Sequence, residues 1–157
     1  MKLRALTTGE RALSERMFGA ALDTGRLRLL ADAPTGGWAM VLWRLMLFPV
    51  ACTDFSLEPV GRQAWFVHEL THAWQFQHRP LGTLMSWAAT ALRGGYIGGR
   101  GYRYPMPPDW ESLNLEQQAR LVEHLFLVRS GLAPPELPPE IVLALATLQL
   151  PWECAAA

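Results

Sequence analysis

The spacing of hydrophobic and polar residues near the N-terminus predicts a first helix. Thr7 and Glu10 have the spacing of an N-terminal capping box, and Leu13 and Met17 follow at helical spacing. This helix should end near Gly25, because glycine readily takes the left-handed conformation found at helix ends.

Two segments after this helix have the character of β-strands. Residues 26–30 alternate between polar and apolar side chains, and residues 38–48 form a β-prone run after a turn at residues 34–37. We therefore expect a small sheet. If residues 38–48 form an edge strand, that strand could bind an extended peptide by strand addition.

The rest of the chain is predicted to be mainly helical. The pattern gives helices at about residues 59–78, 81–92, 114–130 and 140–150, and a glycine-rich loop at residues 94–101. Asn114 and Gln117 have the spacing of a second helix cap. No repeat or long linker divides the sequence. We expect one mainly helical α+β domain over residues 1–157.

Charge and cysteine content exclude several classes of function. Fourteen basic residues balance fourteen acidic ones, so no excess charge favours a nucleic acid or a membrane surface. Cys52 and Cys154 lie far apart and do not suggest a disulfide framework or a cysteine zinc site. The first residues lack the apolar core of a signal peptide, and no transmembrane segment is predicted. The expected location is therefore cytoplasmic.

One helix carries residues that are typical of metal chemistry. His68 and His72 are four residues apart, so their imidazoles project from one helix face and can reach the same ion, with Glu69 beside them. In the His-Glu-x-x-His arrangement the histidines bind zinc, and the glutamate takes a proton from water that the metal has acidified. The alternative is a pair of ordinary buried histidines. The aromatic residues on both sides of the motif favour the metal site.

The same helix geometry separates His78 from this pair. His78 follows His72 by six residues, which is about 240° around the helix, and it precedes the break at Pro80. We expect His78 to be an exposed residue at the helix end.

A catalytic zinc site needs a third protein ligand and an open position. Glu116 and Glu123 are seven residues apart and share a face of the later helix, with Arg120 between them. Glu116 is the preferred ligand, because residues 116–119 resemble the glutamate-x-x-small pattern of glutamate zincins, in which the small residue lets the two metal-bearing helices approach each other. Glu123 and Asp109 are the other candidates, and a simple surface pair of Glu116 with Arg120 is the structural alternative.

Several motifs together resemble the bacterial Vgr-related family. They lie at residues 6–13, 18–23, 54–56, 68–75 and 114–119, and the similarity extends from about Leu6 to Phe126. That family in turn looks like the metallopeptidase domain of toxins and of core proteins of contractile injection systems. The resemblance implies a compact zincin-like fold with two metal-bearing helices and an association with type VI secretion. A contractile injection system would then export the protein.

The resemblance also implies roles for individual residues. It makes His68, His72 and Glu116 the zinc ligands and Glu69 the catalytic base. Arg120 departs from the pattern, because many glutamate zincins have at this position an aspartate that orients a ligand histidine. That support must therefore come from another residue here.

These observations lead to a hypothesis of zinc-dependent peptide hydrolysis. Tyr102 and Tyr104 are the candidate donors to the oxyanion of the transition state, although packing on the glycine-rich loop would explain them equally well. Expected partners are a peptide or protein substrate and a secretion-system protein. Two other functions remain open: a metal-binding module without catalytic activity, and a zinc amidase for amide bonds outside proteins.

Overall fold

The computed structural model describes residues 2–92 and 102–154, except for the side chains of residues 90 and 91. Its strands are β1 (Lys2–Ala5), β2 (Arg28–Ala31), β3 (Met40–Leu42) and β4 (Leu45–Leu47). Its helices are α1 (Thr8–Phe18), α2 (Val60–His78), α3 (Pro80–Leu92), α4 (Leu115–Arg129), α5 (Pro139–Ala146) and α6 (Pro151–Cys154). The predicted glycine-rich loop lies outside the described residues. The predicted α+β, mainly helical class is confirmed.

The described strands form a mixed four-stranded sheet in the order β1, β2, β4, β3. β1 pairs antiparallel with β2, β2 pairs parallel with β4, and β4 pairs antiparallel with β3. The predicted strand run at residues 38–48 is a hairpin, because Trp43 has a φ of 61° and allows a two-residue turn between β3 and β4. This places β3 at one edge of the sheet, beside α2.

Two helices begin at the caps that the sequence predicts. Thr7 accepts from the backbone of Glu10 at 3.0 Å, and the Glu10 carboxylate accepts from the Thr7 backbone at 2.9 Å. Asn114 and Gln117 make the same reciprocal pair of bonds, both 2.9 Å long, at the start of α4. These bonds satisfy backbone N–H groups that would otherwise lack partners in the first turn.

Helix α2 lies at the centre of the hydrophobic core. Phe66, Val67 and Leu70 are fully buried, and Phe66 stacks on Phe55 with ring centroids 5.1 Å apart. Phe48 extends this cluster to the sheet, with its centroid 4.4 Å from that of Phe55. The core thus fixes α2 against the sheet, and residues 66–71 in the middle of the helix are all buried. The same packing fixes the position of the motif residues on α2.

The end of the chain differs from the prediction of one helix over residues 140–150. α5 ends at Ala146, and α6 begins at Pro151. Pro151 has no N–H to donate and disfavours helical geometry at Leu150, which is buried in the core instead. Within the described residues, no helix combines the length and the apolar character needed to cross a bilayer.

Candidate metal centre

The three motif residues of α2 lie together at the surface of the core. His68 and Glu69 are 6 % and 5 % exposed, and the two imidazole centroids of His68 and His72 are 5.0 Å apart. This is the arrangement that the four-residue spacing predicts. The core packing of Phe66 and Leu70 holds the intervening helix turn, so the imidazoles are presented by a rigid element.

Glu116 on α4 completes a group of three possible ligands. Its Oε2 atom lies 3.4 Å from Nε2 of His68 and 3.4 Å from Nε2 of His72. The three potential ligand atoms lie within 4.8 Å of one another. Ala119, one turn further along α4, is fully buried and allows the close packing of α4 on α2. The structure therefore contains a candidate metal site at the position that the sequence predicts.

Each imidazole makes a hydrogen bond through Nδ1, while its Nε2 is the nitrogen nearer to Glu116. Nδ1 of His68 lies 3.0 Å from the Glu123 carboxylate, and Nδ1 of His72 lies 2.8 Å from Oε1 of Gln75. Since carboxylate and amide oxygens can only accept, each Nδ1 donates its hydrogen. In the neutral imidazoles the lone pair is then on Nε2, facing Glu116. Glu123 thus hydrogen-bonds to Nδ1 of His68 and orients its imidazole. Gln75 does the same for His72, a role that the sequence analysis did not identify.

The electrostatics of the centre are strongly coupled. Burial alone would lower the pKa of His68, but the neighbouring carboxylates of Glu116 and Glu123 outweigh burial and raise the pKa to about 10. Burial opposes ionisation of Glu116, yet the two imidazoles hold its pKa below the usual range. For Glu69 burial dominates and raises the pKa, although both histidines oppose this. In the metal-free centre a proton on an imidazole therefore compensates the carboxylate charge, and a bound metal would have to displace that proton.

A polar network extends from Glu123 to the surface. Arg120 donates to Glu123 at 2.8 Å and also pairs with Glu136. Glu136 in turn lies 3.0 Å from Nε2 of His124, and the Tyr104 hydroxyl lies 2.6 Å from Nδ1 of the same histidine. Arg120 therefore acts on the centre indirectly, by fixing the carboxylate that orients His68. Tyr104 is engaged with His124.

The remaining candidates occupy different positions around the centre. Tyr102 lies beside His68 with ring centroids 6.1 Å apart, and burial raises the pKa of its phenol to about 12. Asp109 is exposed in the segment before α4, outside the group of possible ligands. His78 is exposed at the end of α2, as predicted. Both cysteines are free thiols, Cys52 buried and Cys154 exposed.

The centre opens into a cleft of about 670 Å³. Helix α2 contributes the motif residues, the edge strand β3 forms one side, and α3 and α4 contribute to the lining. The cleft gives a ligand direct access to the imidazoles and to Glu69. Fold and site together define a mainly helical α+β domain with a candidate metal centre between two helices.

Comparison with known proteins gives the family of this domain. The chain is 33 % identical over 141 residues to the type VI secretion system spike protein VgrG2b of Pseudomonas aeruginosa, in a match that covers 81 % of this chain but 13 % of that protein. The solved effector domain of VgrG2b matches with a TM-score of 0.70 and 31 % identity, over 81 % of this chain and 75 % of that one. No protein-family model matches. The chain belongs to the family of the VgrG2b effector domain.

This result confirms the Vgr-related part of the resemblance and its link to type VI secretion. The zincin-like, metallopeptidase part of the resemblance stays a prediction.

Proposed function

We propose that this protein is a zinc-dependent metallopeptidase, with a zincin-like fold and His68, His72 and Glu116 as zinc ligands. The observation that carries the proposal is the 3.4 Å separation of Glu116 from each imidazole nitrogen. Direct hydrogen bonds would be shorter, at about 2.9 Å. Two donor atoms bound to one tetrahedral zinc at 2.0–2.1 Å are about 3.3–3.4 Å apart. Two neutral imidazoles and one carboxylate also match the ligand types of catalytic zinc sites.

The residues around this site have distinct tasks in peptide hydrolysis. When bound, zinc supplies Lewis acidity, which polarises a carbonyl group and acidifies water. Glu69 lines the cleft beside both imidazoles and accepts a proton from the attacking water, which it then passes to the leaving amine. Tyr102 also lines the cleft and is the better placed of the two tyrosines to donate to the developing oxyanion.

The family suggests how the domain reaches its substrate. The relative is a type VI secretion spike protein, and the matched part of it is an effector domain. We infer that the present domain is exported by such a system together with a spike protein. Comparing its amount in the medium of cells with and without a working type VI system tests this inference, and equal amounts would contradict it.

The test of the peptidase function separates metal binding from turnover. We expect the purified protein to bind about one zinc per chain, and His72→Ala and Glu116→Ala to lose most of it. Glu69→Gln should keep the zinc but lose hydrolysis of a denatured protein mixture, because the amide cannot take the proton. Glu140→Gln, which changes an exposed glutamate on α5, is the control and should behave as wild type.

Two results would contradict the proposed peptidase function. Zinc binding by the wild type with no hydrolysis of any peptide would favour a non-catalytic binding module. Full activity of Glu69→Gln would exclude the proposed base.

A further inference from the structure

Large apolar side chains are exposed on two elements that line the cleft, the edge strand region and α3. Trp38, which precedes the edge strand β3, is 64 % exposed, and Leu42, in that strand, is 50 % exposed. On α3, Leu84 is 53 % exposed and Trp87 is 48 % exposed. All four line the cleft that leads to the metal centre. Exposed apolar residues that cluster in a concave site commonly mark the place where a ligand binds.

The charged residues of the cleft are concentrated at its metal end. Among the described lining residues, those whose side chains can carry a charge near neutral pH are His68, Glu69, His72, Glu116, Arg120 and Glu123. The rest of the lining is apolar apart from Tyr102, Thr35 and Thr83. A charged ligand side chain bound between β3 and α3 would lose its hydration without gaining a counter-charge. An apolar side chain bound there would gain from leaving water.

Thr83 on α3 offers a polar group at the same place. The residue is 2 % exposed and lines the cleft, and its Oγ1 has no hydrogen-bond partner among the described residues. A helical threonine can satisfy its hydroxyl on the carbonyl four residues earlier. Thr83 does not make this bond, although the Arg79 carbonyl, which accepts from the backbone N–H of Thr83, has a second lone pair. A buried hydroxyl without a partner is unfavourable, so a ligand group that pairs with it would be stabilised.

The edge strand adds backbone groups to this surface. In an antiparallel ladder the N–H and C=O groups of alternate residues point away from the paired strand. β3 is paired with β4 on one side, and in the described part of the sheet its other side is an edge next to α2. An extended polypeptide can therefore hydrogen-bond along β3 while its alternate side chains point into the cleft.

We propose that the cleft selects an extended polypeptide segment with a bulky apolar side chain close to the scissile bond. That side chain lies between the Trp38–Leu42 side and the Leu84–Trp87 side, and the Thr83 hydroxyl pairs with the main chain of the segment. The inference rests on the proposed peptidase function, which supplies the scissile bond. It adds the class of substrate.

Binding is measured on zinc-loaded Glu69→Gln, so that peptides are not consumed. The probe is a library of short capped peptides in which each position in turn is fixed as Leu, Phe, Asp or Lys. At one position we expect Leu and Phe to bind about tenfold or more tightly than Asp and Lys, as expected for full burial of a large apolar side chain. The wild type should cleave the same peptides with a matching preference in kcat/KM.

Matched leucine variants locate the subsite. Leu84→Lys should weaken binding of the Leu and Phe peptides by about tenfold, whereas Leu143→Lys, on a leucine of α5 that is 76 % exposed and lies outside the cleft lining, should have no effect. Thr83→Val should weaken all library peptides to a similar degree, because it removes a main-chain contact, and Thr83→Ser should restore binding. Thermal unfolding checks that the variants are folded.

The outcomes distinguish this inference from the proposed function. Hydrolysis without apolar preference, or equal binding by Leu84→Lys and Leu143→Lys, would overturn the inference and leave the peptidase function standing. Apolar preference in binding without hydrolysis by the wild type would support the subsite and refute the peptidase. Absence of both binding and hydrolysis would overturn both.

Discussion

Glu123 should control zinc affinity although it is not among the proposed ligands. Its Oε2 atom lies 3.0 Å from Nδ1 of His68, and its Oε1 atom accepts from Arg120 at 2.8 Å. Removing this carboxylate frees the imidazole to rotate and removes the negative charge that makes Nε2 a stronger donor to a metal. Glu123→Ala should therefore weaken zinc binding without changing any ligand atom.

The size of the effect follows from the contacts that are lost. Loss of a carboxylate behind a ligand histidine typically lowers metal affinity by about 10–100-fold, or about 1.4–2.7 kcal/mol. Glu123→Ala loses both the charge and the hydrogen bond, so we expect the upper part of this range. Glu123→Gln keeps one acceptor oxygen for His68, so we expect a loss of about tenfold. Arg120 retains Glu136 as a partner in both variants.

The assay is titration of zinc against a competing chelator in the metal-free proteins. Glu136→Gln is the control, because Glu136 also contacts Arg120 but has no contact with an imidazole of the centre. Its affinity should equal that of wild type. Wild-type affinity in Glu123→Ala, or equal losses in Glu123→Ala and Glu136→Gln, would refute the view that Glu123 acts through His68.

Three further predictions concern stability. Gly9→Ala would place its Cβ 2.0 Å from Oγ of Ser56 and should lower the free energy of unfolding in urea by about 1–3 kcal/mol, whereas Gly61→Ala in α2 meets no atom within 4 Å and should be neutral or stabilising. Glu10→Ala should cost about 3 kcal/mol, because the buried carboxylate binds Arg4 and two backbone N–H groups. Exposed Glu15→Ala should change stability by less than about 0.5 kcal/mol. Zinc at 100 times its dissociation constant should stabilise the wild type by about 2.7 kcal/mol in calorimetric unfolding, and should have little effect once a ligand imidazole is removed.

Features that depend on neighbouring residues were predictable from the sequence. The capping pairs Thr7 with Glu10 and Asn114 with Gln117 are three residues apart, so their bonds follow from local geometry. The spacing of His68 and His72 likewise fixes their common helix face. These local signals are sufficient to start two helices and to place two imidazoles side by side.

Features that depend on packing between distant elements were not predictable in the same way. Sequence spacing places Glu116 and Glu123 on one face of α4, but the docking of α4 on α2 decides which carboxylate meets Nε2 and which meets Nδ1. Strand β1 was missed because four residues carry too little pattern, and it is stabilised by its pairing with β2. The turn at Trp43, which divides one β-prone run into two strands, also lacks a glycine or asparagine signal.

Gln75 holds the candidate metal centre in place without a bound ion. Its Oε1 atom accepts from Nδ1 of His72, while its Nε2 atom donates to the Leu115 carbonyl at 3.1 Å and to Gln118 at 2.9 Å. One side chain that is 3 % exposed thus orients a histidine on α2 and fixes the first turn of α4, which carries Glu116. Since these bonds and the aromatic core need no metal, the apoprotein should remain folded with its three ligand residues in place. Zinc would then bind with little reorganisation, unlike a zinc finger, in which binding must also supply the free energy of folding.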